Sequence, residues 1–357
     1  MRNLRELVEE IAVFSRTPRG LNAEDFPGWL AQRPSLNGLT TRDVYYICLG
    51  RLPENAQRAR MQYPSRHACA AHILECLLTR EFRERLPALI FAAFPDLERH
   101  FFVHVPRTGG TTLRRLIENQ RGLLAWNEGY TQDEWFAHDY ELFGKTGARF
   151  MLRFLAQFAG PAPATFFYTG HVTLGDLLAR RLIRPYDKSL VVVRDPVKMI
   201  LSAINYILMV ARREARTPDA VQWAKWLREL DPHWRSDVEA SPELIAKLVS
   251  SERFRTDYAD MMTRFLSIDG TVEGALAAIE IAHCTVIEIT RIDTYARDVL
   301  GIDTSVVAQN ASTDVIAQTG GVTPELRSAI ERMSVRDVDL MRRLRDAVNL
   351  HPLIEPA

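Results

Sequence analysis

The sequence predicts an α/β protein: a parallel sheet of the phosphate-loop type, flanked by helices, with an all-helical region ahead of it. Three observations carry this. Short apolar runs at Phe101–Val105, Phe166–Thr169, Leu190–Val193 and Thr285–Ile289 are separated by segments of helical periodicity, the pattern of strands joined by crossover helices. Two of those runs end in turn chemistry that opens a helix. Residues 1 to about 95 show helical spacing throughout, as in Val44–Pro53 and Ile73–Phe82. The expected division is therefore a helical module over 1–95 and an α/β domain over 96–357.

Composition narrows the function classes. The chain has 357 residues, 47% of them hydrophobic, enough for one large domain or a main domain with a smaller one. Lys and Arg total 45 and Asp and Glu total 45, so the formal charge is zero and nothing points to nucleic acid as a partner. Cys48, Cys69, Cys76 and Cys284 lack Cys-x-x-Cys spacing and lie in apolar patterns, which reads as buried free thiols. The amphipathic, acidic start lacks the apolar core of a signal peptide, and the apolar run Leu86–Phe94 is too short to cross a bilayer. A cytoplasmic protein without a transmembrane segment is expected.

The most informative segment is Phe101-Phe-Val-His-Val-Pro-Arg-Thr-Gly-Gly-Thr-Thr-Leu113, where a buried strand meets a glycine pair and then a helix. Backbone N–H groups at a helix start lack intrahelical partners and lie at the positive end of the helix dipole, so they suit phosphate oxygens. Gly109 and Gly110 permit a tight turn and close approach, Thr108, Thr111 and Thr112 offer hydroxyls, and Arg107 adds a fixed charge. The segment lacks the longer loop closed by Lys and Ser or Thr of the nucleoside triphosphatases. On its own it is also consistent with an ordinary strand-to-helix connection.

A second segment, Ser189 to Tyr206, repeats the strand-to-helix pattern. Leu190–Val193 reads as a strand buried on both faces, Asp195 as a helix N-cap and Pro196 as the first helical residue, which puts Arg194 at the strand's carboxyl end. Ser202 follows about two turns into the helix. Arg194 alone could be a structural partner of Asp195. Two such strand ends together mark where open α/β sheets bind ligands.

These segments resemble the sulfotransferases that use 3′-phosphoadenosine 5′-phosphosulfate (PAPS), in particular the carbohydrate-modifying heparan and uronyl O-sulfotransferase-like branch. The first is similar to that family's 5′-phosphosulfate loop, Pro-Lys-Thr-Gly-Gly-Thr-Ser/Thr, with Arg107 where the family usually has Lys. The second is similar to its 3′-phosphate motif, Arg-Asp-Pro-Val followed by a helical Ser. The resemblance runs from about Arg99 to residue 345 and implies the sulfotransferase fold, PAPS as donor with 3′-phosphoadenosine 5′-phosphate (PAP) as product, no metal, and a carbohydrate or glycolipid acceptor. It assigns donor contacts to Arg107, Thr108, Gly109, Gly110, Thr111, Thr112, Arg194 and Ser202. The helical region is in turn similar to a module found beside bacterial carbohydrate-active domains, through Leu49-Gly-Arg-Leu-Pro53 and Thr79-Arg-Glu-Phe82; a helical cap on the core is the alternative.

Sulfuryl transfer asks for in-line positioning, charge stabilisation on the leaving phosphate and a base for the acceptor hydroxyl. Arg107 is the expected charge stabiliser. His171, in Gly170-His-Val172 after a strand, is the expected base; the resemblance strengthens this, since uronyl 2-O-sulfotransferases carry a Gly-His-Val element, although Thr169 stands where some relatives have a second His. His104 is the weaker candidate because alternation turns it toward packing. Asp260–Ser267 and Gln309–Ser312 resemble further family segments expected to line the cleft, which adds Arg264 and Asn310 as candidate donor contacts. For Arg264 an ion pair with Asp260 or Glu288 is the alternative. Trp223, Trp226 and Trp234 read as packing ahead of sugar platforms, and Asp337, Asp339 and Leu340 as packing. The alternative to an enzyme is a nucleotide-binding protein that recruits partners through its helical module.

Overall fold

The computed structural model describes residues 1–17, 22–110, 112–113, 116, 125–128, 148–149, 151–159, 165–184, 186–212, 218–237, 240–302 and 322–346. The chain forms two compact units: Met1–His100 with Arg121–Gly170, and Phe101–Gln120 with His171–Ala357.

The first unit opens with α1 (Leu4–Ser15), α2 (Phe26–Leu30), α3 (Thr41–Leu49), α4 (Ala56–Ala59), α5 (Arg66–Leu78) and α6 (Arg80–Ala93). The sequence starts these helices with oxygen-bearing caps. Asn3 accepts from Glu6 N–H, Thr40 and Asp43 form a reciprocal capping box, and Ser65 and Thr79 cap α5 and α6. Leu7, Ile11, Phe14, Phe26 and Leu30 are buried, with the Phe14 ring edge-on to Phe26 at 5.2 Å. The two motif halves of this region meet: the Arg51 guanidinium makes a two-pronged ion pair with Glu81, its Nη2 donating to Oε2 at 2.7 Å, and Arg85 donates to the Leu49 carbonyl at 2.8 Å. The hydrogen bond from Arg51, helped by its charge, holds the Glu81 carboxyl below its ordinary range. All four cysteines are buried and free, as the sequence suggested.

The helical segment shares its compact unit with Arg121–Gly170. Phe91 packs edge-on to Phe166 at 5.2 Å and Phe94 contacts Phe158 at 5.7 Å, so these helices share a core with β3 (Thr165–Gly170), a strand buried at every position. β3 pairs in parallel with β2 (Ala125–Glu128), from Ala125 opposite Phe167 to Glu128 opposite Gly170. β2 was not expected: Ala-Trp-Asn-Glu has neither alternation nor a β-branched run.

β1 (Glu98–Val103) contributes to both units. In the second unit β4 (Lys188–Val193) pairs in parallel with β5 (Cys284–Glu288), Ser189 opposite Cys284 through Val193 opposite Glu288. The strand order is β2-β3-β1-β4-β5. The helices of this unit include α7 (Leu174–Ala179), α8 (Pro196–Ala211), α9 (Pro218–Leu230), α10 (Pro242–Ser250), α11 (Glu252–Tyr258), α12 (Met261–Leu266), α13 (Val272–Ile281), α14 (Ile292–Asp298), α15 (Pro324–Met333) and α16 (Val335–Asp346). Asp195 caps α8 by accepting from Lys198 N–H and Pro196 takes the first helical position, as read from the sequence. No helix among the described residues is long and apolar enough to cross a membrane.

Two aspartates exchange caps between α12 and α16. Asp260, at positive φ, cannot cap its own helix, and its carboxylate instead accepts from Arg336 N–H at 2.8 Å at the start of α16. Asp337, fully buried on α16, accepts from Met262 N–H at 3.1 Å and from Thr263 N–H and Oγ1, both at 2.8 Å. This is the packing role expected of Asp337. Burial raises its pKa to about 6 in spite of the three donors, which oppose the rise.

The folded state thus holds the Asp337 proton more tightly than the unfolded chain, whose Asp pKa is about 3.9. Between about pH 4 and 6 the folded form binds more protons, so this group's contribution to stability falls as pH rises. Urea titrations of the wild type and Asp337→Asn should show a gap that shifts in the variant's favour by up to about 3 kcal/mol from pH 4 to pH 6. The variant should still be the weaker by about 1–3 kcal/mol at pH 4, where its amide leaves Met262 N–H without an acceptor. A gap constant with pH would show that Asp337 does not titrate in this range.

Candidate anion-binding site

In the strand order, β1 and β4 are neighbours, while the strand after β1 lies to one side and the strand after β4 to the other. Their carboxyl ends flank a topological switch point, where open α/β sheets leave room for a ligand. Arg107 follows the end of β1 and Arg194 the end of β4, both within the second unit.

The loop after β1 is shaped by what lies against it. Gly109 has φ 89°, and a Cβ there would stand 2.9 Å from the side chains of Ile289 and Ile292. Gly110 begins the helix, and a Cβ there would fall 1.9 Å from Cδ2 of His104. Only glycine fits over that imidazole. The Gly109 and Gly110 N–H groups have no acceptor among the described residues. Thr108 departs from the expectation of a ligand-facing hydroxyl: it is fully buried, and its Oγ1 donates to the Val105 carbonyl at 2.8 Å, bracing the loop from within. Thr112 is half-buried in the first helical turn, with its N–H given to Gly109 at 3.0 Å. Thr111 lies outside the described residues.

Arg107 and Arg194 are in direct contact: Nη1 of Arg194 donates to the Arg107 backbone carbonyl at 3.0 Å. Arg107 itself has φ 68°, and its guanidinium lies 3.7 Å from the ring centroid of Tyr206 on α8. Burial pulls the Arg107 pKa down; burial and then the Arg107 charge do the same to Arg194, with Asp195 opposing. Among the described residues neither arginine forms an ion pair with a carboxylate. Two adjoining, half-buried cations without a carboxylate in ion-pair contact form a locally positive site. Ser202, half-buried, shares a face of α8 with Tyr206, four residues on.

His171 follows β3 and is half-buried. Its ring lies 4.7 Å from that of His104, tilted at 52°, and edge-on to Phe265 at 6.5 Å. His104, 9% exposed, stacks on Phe102 as well, so one imidazole touches both the glycine at the loop's helix start and His171. The sequence assigned His104 to packing and missed this link.

Arg264 is not part of the constellation. Its Nη1 donates to Thr256 O at 2.7 Å and its Nη2 to Asp257 O at 2.6 Å, covering the last carbonyls of α11; it pairs with neither Asp260 nor Glu288, which engage Arg336 and Arg345. Asp260, Met262 and Thr263 of that segment are tied to α16, and Phe265 has a ring contact with His171. Asn310 and its neighbours Gln309 to Ser312 lie outside the described residues. Trp226 and Trp234 are buried packing residues, with Arg253 stacked on Trp223 and Trp226. An apolar groove of about 400 Å³ between α10 and α15, lined by Ile245, Val249, Leu326 and Met333, contains none of the site residues. Among the described residues no cluster of His, Cys, Asp and Glu is placed to hold a metal ion.

The fold and site together define an α/β protein with two adjoining arginines at the ends of neighbouring strands. No protein-family model, curated protein or solved structure matches the chain.

The loop geometry is open to a compensation test. Gly110→Ala should destabilise the protein by about 1–3 kcal/mol through overpacking against His104. Adding His104→Ala removes the obstructing ring, and urea midpoints should show the double variant losing less than the sum of the two singles. Strict additivity would separate the two residues.

Proposed function

We propose that this protein is a PAPS-dependent carbohydrate O-sulfotransferase, transferring a sulfuryl group to a hydroxyl of a carbohydrate or glycolipid. The observation that carries the reading is the contact between Arg194 and Arg107, two half-buried cations without an ion-pair partner among the described residues. A ligand with phosphate groups at two places suits that charge, and the motif resemblance supplies its identity.

The donor brings the activated sulfuryl group. Arg107 and the Gly109 and Gly110 N–H groups hold its 5′ end and balance the charge that gathers on the leaving phosphate. Arg194 and Ser202 hold the 3′-phosphate. His171, carried at the end of β3 with its ring beside that of His104, accepts the proton of the acceptor hydroxyl. Thr108 acts through loop shape, since its hydroxyl is engaged by Val105.

Calorimetry should find PAP bound about 10- to 100-fold more tightly than AMP, the range of one charge-assisted phosphate contact. Equal affinity for both would refute the assignment of Arg194 and Ser202. In an assay of labelled donor against a panel of carbohydrate and glycolipid acceptors, His171→Ala should lower turnover about 100-fold or more while leaving PAP affinity within about 2-fold. Unchanged turnover would move the base elsewhere.

A further inference from the structure

We propose that Tyr206 is the positioning residue for the Arg107 cation, and that this pairing is what fits arginine to the loop position. The inference rests on Arg107 being an anion contact, whatever the rest of the ligand.

Arg107 leaves the loop from a left-handed backbone conformation, φ 68°, and its carbonyl is held by Arg194. The root of the side chain is thus fixed at one end. Its head lies over the Tyr206 ring at 3.7 Å from the centroid, well within cation–π range. Tyr206 is half-buried on α8, whose other positions nearby, Ala203, Ile204, Asn205, Ile207 and Leu208, are buried, so the ring is carried by a helix anchored in the core.

A planar guanidinium covered on one face by an aromatic ring keeps its in-plane N–H donors for an anion, and the ring satisfies the cation without neutralising its charge. A carboxylate in the same place would neutralise it. A lysine has no planar face to stack, and its ammonium ends a flexible four-carbon stem. The ring on α8 and the arginine in the loop are therefore matched parts. Tyr206 also stands one turn after Ser202 on the same helix face, which brings the two anion-contact groups assigned to separate motifs onto one scaffold.

The test is a double-mutant cycle read by calorimetry with PAP and, independently of any nucleotide, with inorganic pyrophosphate. Tyr206→Phe keeps the ring face and should bind both within about 2-fold of wild type. Tyr206→Leu should weaken both about 5- to 30-fold. In an Arg107→Lys background the same Tyr206→Leu change should alter affinity by less than about 2-fold. Arg107→Lys alone should bind both at least about 5-fold more weakly than wild type, and this comparison carries the test should Tyr206→Leu fail to fold. Undiminished binding by Tyr206→Leu or by Arg107→Lys, or an equal loss from Tyr206→Leu in both backgrounds, overturns the proposal. Tyr206-dependent pyrophosphate binding by a wild type that ignores PAP would sustain the pairing and reject the nucleotide reading.

Discussion

Two positive charges are brought against each other at adjacent strand ends, and the loop geometry serves that placement. Burial raises the cost of charging both arginines, and the Arg107 charge adds to that cost at Arg194. Here the chain offsets that cost with a backbone carbonyl and an aromatic face, leaving the net charge of the pair in place. Such an arrangement is a poor way to stabilise a fold and a good way to hold an anion.

The neighbouring structure keeps that charge in position. His104 sets the height of the loop by filling the space a Gly110 side chain would need, Ile289 and Ile292 do the same at Gly109, and Thr108 turns its hydroxyl inward to brace the turn. Away from the loop, the exchange of caps between Asp260 and Asp337 fastens α12 to α16 and fixes the backbone that carries Phe265 beside His171. Packing and electrostatics thus have distinct tasks: apolar and capping contacts make the frame rigid, and the frame holds a charge imbalance.

Much of this was legible from residue types alone. The strands at Phe101, Phe166 and Leu190 are continuous apolar runs, and burial on both faces writes that signal directly into sequence. Asp195-Pro196 announced the start of α8 through capping chemistry. β2 was not legible, because a four-residue edge strand draws its pairing from β3 and carries no pattern of its own. Helical periodicity shows where the first helices end, whereas the contacts of Phe91 and Phe94 show which core they enter.

Side-chain destinations were harder to read than elements. Arg264 looked like a charge in search of an anion, but the carbonyls at the end of α11 are nearer. Thr108 looked like a donor to a ligand and is a donor to Val105. Tyr206 could have been found, since it stands four residues after Ser202 and so on the same helix face; its partner across the loop could not, because that contact depends on the strand order. The role of the arginine pair is read most plainly by thermal unfolding of the wild type and Arg194→Met with and without saturating PAP. The wild type should show a ligand-induced rise in Tm that is largely lost in the variant; an equal rise in both would show that Arg194 does not hold the ligand.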